Sequence, residues 1–212
     1  MPNMTEHYVL MGDIIKSRVY DAEPLIRDFV KLISDCNEKL KYHILSPYTS
    51  TLGDEFQGIA RSLRSAIETI FYFEEEIIKR SLYFKLRYVV HLGPIETPIN
   101  SETAYGMLGE GLTRARELLA DKRKNRPKLL FDLPNNPDAD QLNRLFSVIG
   151  SLMADWRNRD YPLIYDMIVF DNDNDVAKRN GKNRSQIWKR RKQLHVIDYK
   201  NLKKVIFDIA QG

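Results

Sequence analysis

The chain has 212 residues, 43% of them hydrophobic and 29% charged, the proportions of an ordinary globular protein with room for one sizeable core and a small appendage. No apolar run approaches the length of a membrane span, and the first residues lack the basic-then-apolar pattern of a signal peptide, so a cytoplasmic protein without membrane contact is expected. A lone cysteine, Cys36, excludes an internal disulfide and sits in a helical pattern as a core residue. The formal net charge of +4 is unevenly spread: from Lys178 to Lys204 eleven Lys or Arg stand against one acid, Asp198, so this window carries +10 and the remainder −6. An acidic body with a basic tail is the charge pattern of a nucleic-acid binder, the plain alternative being a solvated basic surface.

Tyr8-Val9-Leu10-Met11 is a short apolar run ending at Gly12-Asp13, a buried strand with a carboxylate at its C-terminal end. Ile26, Phe29, Val30, Ile33 and Leu40 recur at helical spacing and predict a helix from about Glu23 to Lys41. Tyr48 to Leu52 and Phe56 to Ala60 flank Gly53-Asp54-Glu55 and predict a β-hairpin. Leu63, Ile67, Ile70, Phe71, Ile77 and Ile78 mark a second helix, and Phe84 to Leu92 a second buried strand closed by Gly93-Pro94. A Thr/Pro/Asn/Ser-rich loop follows, then a helix through Leu108, Leu112, Ala115, Leu118 and Leu119, a strand at Leu129-Leu130-Phe131, and a turn at Asn135-Asn136-Pro137-Asp138. This order predicts an α+β fold, a ferredoxin-like or palm-type βαββαβ sheet with a helix-strand extension over residues 1–134. An all-α module over residues 138–212 follows: a long helix through Leu142, Phe146, Ile149 and Trp156, an apolar one over Tyr161 to Val169, two short polar ones over Asn174–Asn180 and Arg184–Gln193, and a last one through Leu202, Val205, Ile206 and Ile209.

In such a sheet the first strand lies centrally with the hairpin beside it, so Asp13 and Asp54 are expected at one sheet edge, where hard oxygen ligands suit Mg or Mn. The backbone of the segment after Asp13, with Lys16, Ser17 and Arg18, is suited to cradle phosphate, and Glu55 adds a third carboxylate. Each aspartate taken singly is equally ordinary turn chemistry.

Three blocks, Met11-Gly12-Asp13-Ile14-Ile15-Lys16-Ser17, Thr51-Leu52-Gly53-Asp54-Glu55-Phe56-Gln57-Gly58, and Tyr105-Gly106-Met107-Leu108-Gly109-Glu110-Gly111-Leu112-Thr113-Arg114-Ala115-Arg116-Glu117, resemble the SatD family of bacterial proteins. More distantly they resemble class III nucleotidyl cyclases and GGDEF domains, over about residues 8 to 132. The resemblance implies metal ligation by Asp13, Asp54 and Ile14, and a nucleoside triphosphate held by Lys16, Ser17, Arg18, Glu55, Arg114 and Arg116. It also implies a homodimer, since cyclase relatives build sites between subunits. Followed position by position, the cyclase lysine that reads the base falls on Ser50, the late-helix asparagine on Thr113, and the arginine that stabilises transferring phosphate on Glu117. Phosphoryl transfer depends on positioned cations, so no cyclic nucleotide is expected, and no catalytic residue is assigned.

Asp175 to Arg191 has helix-turn-helix spacing, with Ala177 small where two helices cross, Gly181 at the turn and Ile187 as anchor. Arg184, Ser185, Gln186, Lys189, Arg190 and Arg191 are then the expected DNA-contacting side chains. SatD-like chains often end in such a module, although here Asn180 and Lys182 flank the glycine where apolar residues are usual. The expected function is a nucleotide- or metal-nucleotide-binding regulator that binds DNA. An active metal-dependent cyclase or nucleotidyltransferase, and an inactive dimeric scaffold with a protein-interaction tail, are the alternatives.

Overall fold

The computed structural model describes residues 5–121 and 127–211. The apolar run Tyr8 to Met11 forms the middle of β1, Glu6–Ile14, whose residues from Val9 to Ile14 are all buried. Then come α1 (Ala22–Lys39), β2 (Ile44–Ser50), β3 (Glu55–Ala60), α2 (Leu63–Lys79), β4 (Leu86–Pro94), α3 (Glu110–Ala120) and β5 (Leu129–Asp132). The strands make one sheet in the order β2-β3-β1-β4-β5, antiparallel except for the β4–β5 pair. With α4 (Asp138–Ala154), α5 (Tyr161–Val169), α6 (Asp173–Arg179), α7 (Arg184–Gln193) and α8 (Val196–Ile209), this is an α+β protein with eight α-helices among the described residues, none long and apolar enough to cross a membrane.

Strand alternation gives the sheet two apolar faces. Leu10, Ile14, Phe56, Tyr88 and Val90 belong to the core built with α1 and α2, while Val9, Met11, Ile59 and Val89 belong to a smaller one built with α3 and the loop before it. The expected elements are present with shifted edges. β2 begins earlier than expected because Pro47 hides its start, and it ends at Ser50; it is an edge strand, where a residue without an N–H is tolerated, and its register with β3 shifts once before Pro47 and once across it. In α1 the inward stripe is Leu25, Phe29, Leu32, Ile33 and Cys36, whereas Ile26 and Val30 are 43% and 45% exposed. Leu108 lies outside α3, which starts after Gly109; a Cβ there would stand 2.6 Å from the Pro94 carbonyl oxygen, so only glycine lets the chain pass. α8 is longer than expected, starting at Val196, and Val205 faces out.

The core does not stop at the turn over residues 135–138. Phe71 of α2 stacks with Phe146 at 5.4 Å and Phe207 at 5.5 Å between ring centroids, and Trp156 donates its Nε1–H to the Leu194 carbonyl at 2.8 Å. The Tyr199 hydroxyl donates to Glu75 at 2.9 Å, and Lys203 reaches the same carboxylate at 2.5 Å. On the sheet side the Tyr88 hydroxyl donates to Glu74 at 2.9 Å. Burial, reinforced by the neighbouring glutamate, pushes both phenols well above their usual 10.0. The neutral phenols are therefore part of the folded state, and the stability they supply is present below pH 10 and lost as pH rises beyond it. Tyr199→Phe should cost about 1.5–3 kcal/mol at pH 7, as for a hydrogen bond to a charged group. Urea titrations at pH 7 and in the alkaline range should also show a shallower alkaline loss in the variant than in wild type; an equally steep loss would refute this role.

Candidate functional site

The C-terminal end of β1 is where the chain collects its first charged cluster. Asp13 is in register with Glu55 on β3 and Arg87 on β4, and directly paired residues project from the same sheet face. Asp13 is buried, and Arg87 grips it with both arms of its fork: Nε donates to Oδ1 at 2.9 Å and Nη2 to Oδ2. The hairpin turn is tied alongside, since the Ile14 N–H donates to the Asp54 carbonyl at 2.9 Å and the Ser17 hydroxyl donates to Asp54 Oδ2 at 2.5 Å. Lys16 takes a left-handed conformation, φ 57°, and opens a short 3₁₀ turn over Ser17–Val19. Its ammonium and the Arg18 guanidinium are exposed and lack ion-pair partners among the described residues.

Asp13, Ile14, Lys16, Ser17, Arg18, Asp54 and Glu55 thus come together at one end of the sheet. Ser17 is less available for phosphate than expected, because Asp54 holds its hydroxyl. Arg116 of α3 lies over the same face, donating to Gln57 Oε1 at 2.9 Å, and Gln57 is two residues along β3 from Glu55. Arg114 points elsewhere, 3.6 Å from both Glu117 and Asp132. Arg87 is the residue that sequence reasoning missed. Its signal was available: within β4, Leu86, Tyr88 and Val90 alternate into the larger core, so Arg87 had to face the side of Asp13.

Mg or Mn needs only one or two carboxylates, with waters and substrate phosphates completing the shell. The carboxylates of Asp13 and Asp54 with the Ile14 main-chain oxygen are a donor set of that chemistry, and no group of three His, Cys, Asp or Glu arranged to hold a metal occurs among the described residues. Both oxygens of Asp13 are taken by Arg87 and Oδ2 of Asp54 by Ser17, so an ion held by these carboxylates would require those bonds to yield. Ser50, Thr113 and Glu117 are otherwise engaged: the Ser50 carbonyl accepts from the Tyr105 hydroxyl at 2.9 Å, the Thr113 hydroxyl donates within its helix to Gly109 O at 3.4 Å, and Glu117 is a carboxylate facing Arg114.

The second charged cluster is α7. Ile187 is fully buried beside α6, in the same core as Val176 and Ala177. Gly181 makes the turn at φ 60°, and Asn180 meets its polar needs by donating to Asp166 Oδ2 at 2.8 Å and the Val176 carbonyl at 2.9 Å. Three of the six expected DNA contacts are committed to the fold. Arg191 is 5% exposed, donating to Asp173 at 2.7 Å and to the carbonyls of Met167 and Phe170, so it faces inward and cannot reach a phosphate. Arg190 pairs with Asp160 at 2.8 Å. Gln186 closes a capping box, its Oε1 accepting from the Asn183 N–H at 3.0 Å. Ser185 is exposed and donates to Asn183 at 2.7 Å. Arg184 and Lys189 are exposed and unpaired among the described residues.

A model of the SatD family matches residues 7–208. The chain belongs to the SatD family. The match spans the sheet, its charged end and the C-terminal helices alike, so the SatD chain is one unit of homology from β1 to α8. None of the curated proteins matches it. Among solved structures, the monomeric guanylyl cyclase domain of the RhoGC fusion protein from the aquatic fungus Blastocladiella emersonii is similar at 14% identity and a TM-score of 0.38, over 56% of this chain and 76% of that one. That similarity says nothing about what the SatD chain binds.

The Asp13–Arg87 pair sets a stability prediction. Their side chains are 9% and 16% exposed, so removing one partner strands a largely buried charge. Arg87→Met should destabilise the protein by about 3 kcal/mol. Adding Asp13→Asn should recover part of that loss in the same denaturation experiment. Additive losses in the double variant would show that the pair is not coupled.

Proposed function

We propose that this SatD protein is a cytoplasmic regulator that binds DNA through α6 and α7 and a metal-bound nucleoside triphosphate at the end of β1. One observation carries the reading: α7 is anchored through Ile187 and Arg191, and presents Arg184 and Lys189 to solvent without partners among the described residues. A short helix, a glycine turn and a second helix with a free cationic face are the parts of a helix-turn-helix. The sheet supports a ferredoxin-like or palm-type unit, because β3 runs antiparallel between β1 and β2 and β4 flanks β1 on the other side.

On this reading, Arg87 at the sheet end releases Asp13 when the ligand binds. A divalent ion at Asp13 and Asp54 would neutralise phosphate oxygens. A phosphate offers Arg87 two oxygens for its fork, as the carboxylate of Asp13 does now. Lys16 and Arg18 add positive charge beside it, and Arg116 lies over the same face. Glu117, a carboxylate where transferring phosphate needs a cation, argues against turnover. α2 supplies a rigid connection between the two surfaces, since Glu74 holds Tyr88, next to Arg87, and Glu75 holds Tyr199 of α8.

Calorimetry with Mn and ATP or GTP should detect binding. Asp13→Asn and Arg87→Met should each weaken it by about tenfold or more, the cost of losing a charge-assisted contact. No cyclic nucleotide should form from either triphosphate. Binding indifferent to both substitutions would remove the nucleotide site, and Asp13-dependent cyclic product would make the protein an enzyme.

A further inference from the structure

The free face of α7 differs from the one its sequence suggests. At about 100° per residue, Ile187, Arg191 and Leu194, all buried, mark the inner side. Ser185, Lys189 and Lys192 fall opposite and are exposed. On the flank of that face stands Trp188, 53% exposed, with the Lys192 ammonium 4.6 Å from its ring centroid. Among the described residues of α6, α7 and α8 it is the exposed aromatic side chain, and α7 contains no acidic residue. A solvated indole is an unfavourable use of a large apolar surface, and tryptophan is enriched where one protein surface meets another molecule.

We propose that Trp188 is the base-contacting side chain of this surface, set into the major groove of duplex DNA while Lys189 and Lys192, on the outer face beside it, hold phosphates. The proposal rests on the DNA-binding reading above and specifies which face and which residue carry it. Charge decides the class of partner, because Lys189 and Lys192 are exposed and lack acidic partners among the described residues, and so attract a polyanion. Shape decides the form of nucleic acid. α7 is a convex rod about 10–12 Å across, which a major groove about 12 Å wide admits. Single-strand binding would call for successive stacking aromatics in a groove, and α7 offers one. In the groove the indole has an apolar partner in the thymine methyl group, so its contribution is to sequence preference, whereas the lysines contribute affinity.

The chain has two tryptophans, and Trp156 is 3% exposed with its N–H already bonded, so the DNA-sensitive emission belongs to Trp188. Full-length protein titrated with random-sequence duplex DNA should show quenched emission, and the quench should vanish in Trp188→Phe. Lys189→Ala and Lys192→Ala should each flatten the log–log salt dependence of binding by about 0.9. Trp188→Ala should keep that slope and bind a selected sequence about tenfold more weakly, with relaxed selectivity. Salt-dependent duplex binding that leaves the emission unchanged and is insensitive to Trp188→Ala would overturn this proposal and leave the DNA reading standing. An absence of duplex binding at low salt would overturn both. Quenching by single-stranded but not duplex DNA, or by a protein partner only, would overturn the groove assignment.

Discussion

Helix α2 is enclosed on two sides, and that enclosure governs the arrangement of everything else. Of its seventeen residues eleven are buried, one flank against the sheet and the other against the C-terminal helices. Near its end it nevertheless carries Glu74, Glu75 and Glu76 in succession. Carboxylates in such surroundings must find donors, because an unpaired buried charge costs more than the fold can spare. Successive residues on a helix point about 100° apart, so the three reach three different parts of the molecule. Glu74 takes the Tyr88 hydroxyl of β4, Glu75 takes Tyr199 and Lys203 of α8, and Glu76 takes Lys79 and Arg80, the latter also bridging to Asp35 of α1. One helix turn thereby fixes the sheet, the C-terminal unit and α1 to each other.

The position of the charged end of the sheet follows from this. Tyr88 points to α2 and is held there, and strand alternation then obliges Arg87 to point to the opposite face. On that face the paired position of β1 is Asp13. The bidentate grip is therefore set by two constraints of the backbone, the β1–β4 register and the alternation of β4. The hairpin is drawn in by a third, the bond from the Ile14 N–H to the Asp54 carbonyl. Asp13 and Asp54 are neighbours for reasons of sheet geometry, and each is given a hydrogen-bonding partner of its own, Arg87 for one and Ser17 for the other.

What the sequence discloses and what it hides divide along physical lines. β1 and α2 were legible because their apolar periods are strong and uninterrupted. β2 was half hidden by Pro47, a residue that argues against a central strand and says little about an edge one. In α1 the apolar residues fall on two adjacent stripes, and spacing alone does not tell which turns inward; the sheet selects Leu25, Phe29 and Ile33 and leaves Ile26 and Val30 outside. Within the candidate site, the aspartates were found because strand ends and turns mark themselves, whereas Arg87 is embedded in an apolar strand and is located only by alternation. Arg191 was misjudged because it stands in a run of cations. Its place four residues after the buried Ile187 and three before the buried Leu194 puts it on the inner face, and Gln186, third after Asn183, has the capping-box spacing.

The charge asymmetry needs the same correction from position to pairing. Of the eleven cations between Lys178 and Lys204, Arg179, Arg190, Arg191, Lys200 and Lys203 are paired with Asp166, Asp160, Asp173, Asp171 and Glu75, acids that lie outside that window. The acidic stretch before the basic one is thus folded back onto it, and roughly half of the apparent surplus is spent inside the molecule. Such pairs hold helices in place, and the cations so engaged add little to the field outside the molecule. The remaining field comes from Lys178, Lys182, Arg184, Lys189 and Lys192 of α6, the turn and α7, with Lys204 apart on α8. A sum over the sequence describes the composition of the tail, but the pairing decides where its potential emerges. It emerges along α6, the turn and the outer side of α7, the side left facing solvent because Ile187 and Arg191 anchor the opposite one in the fold.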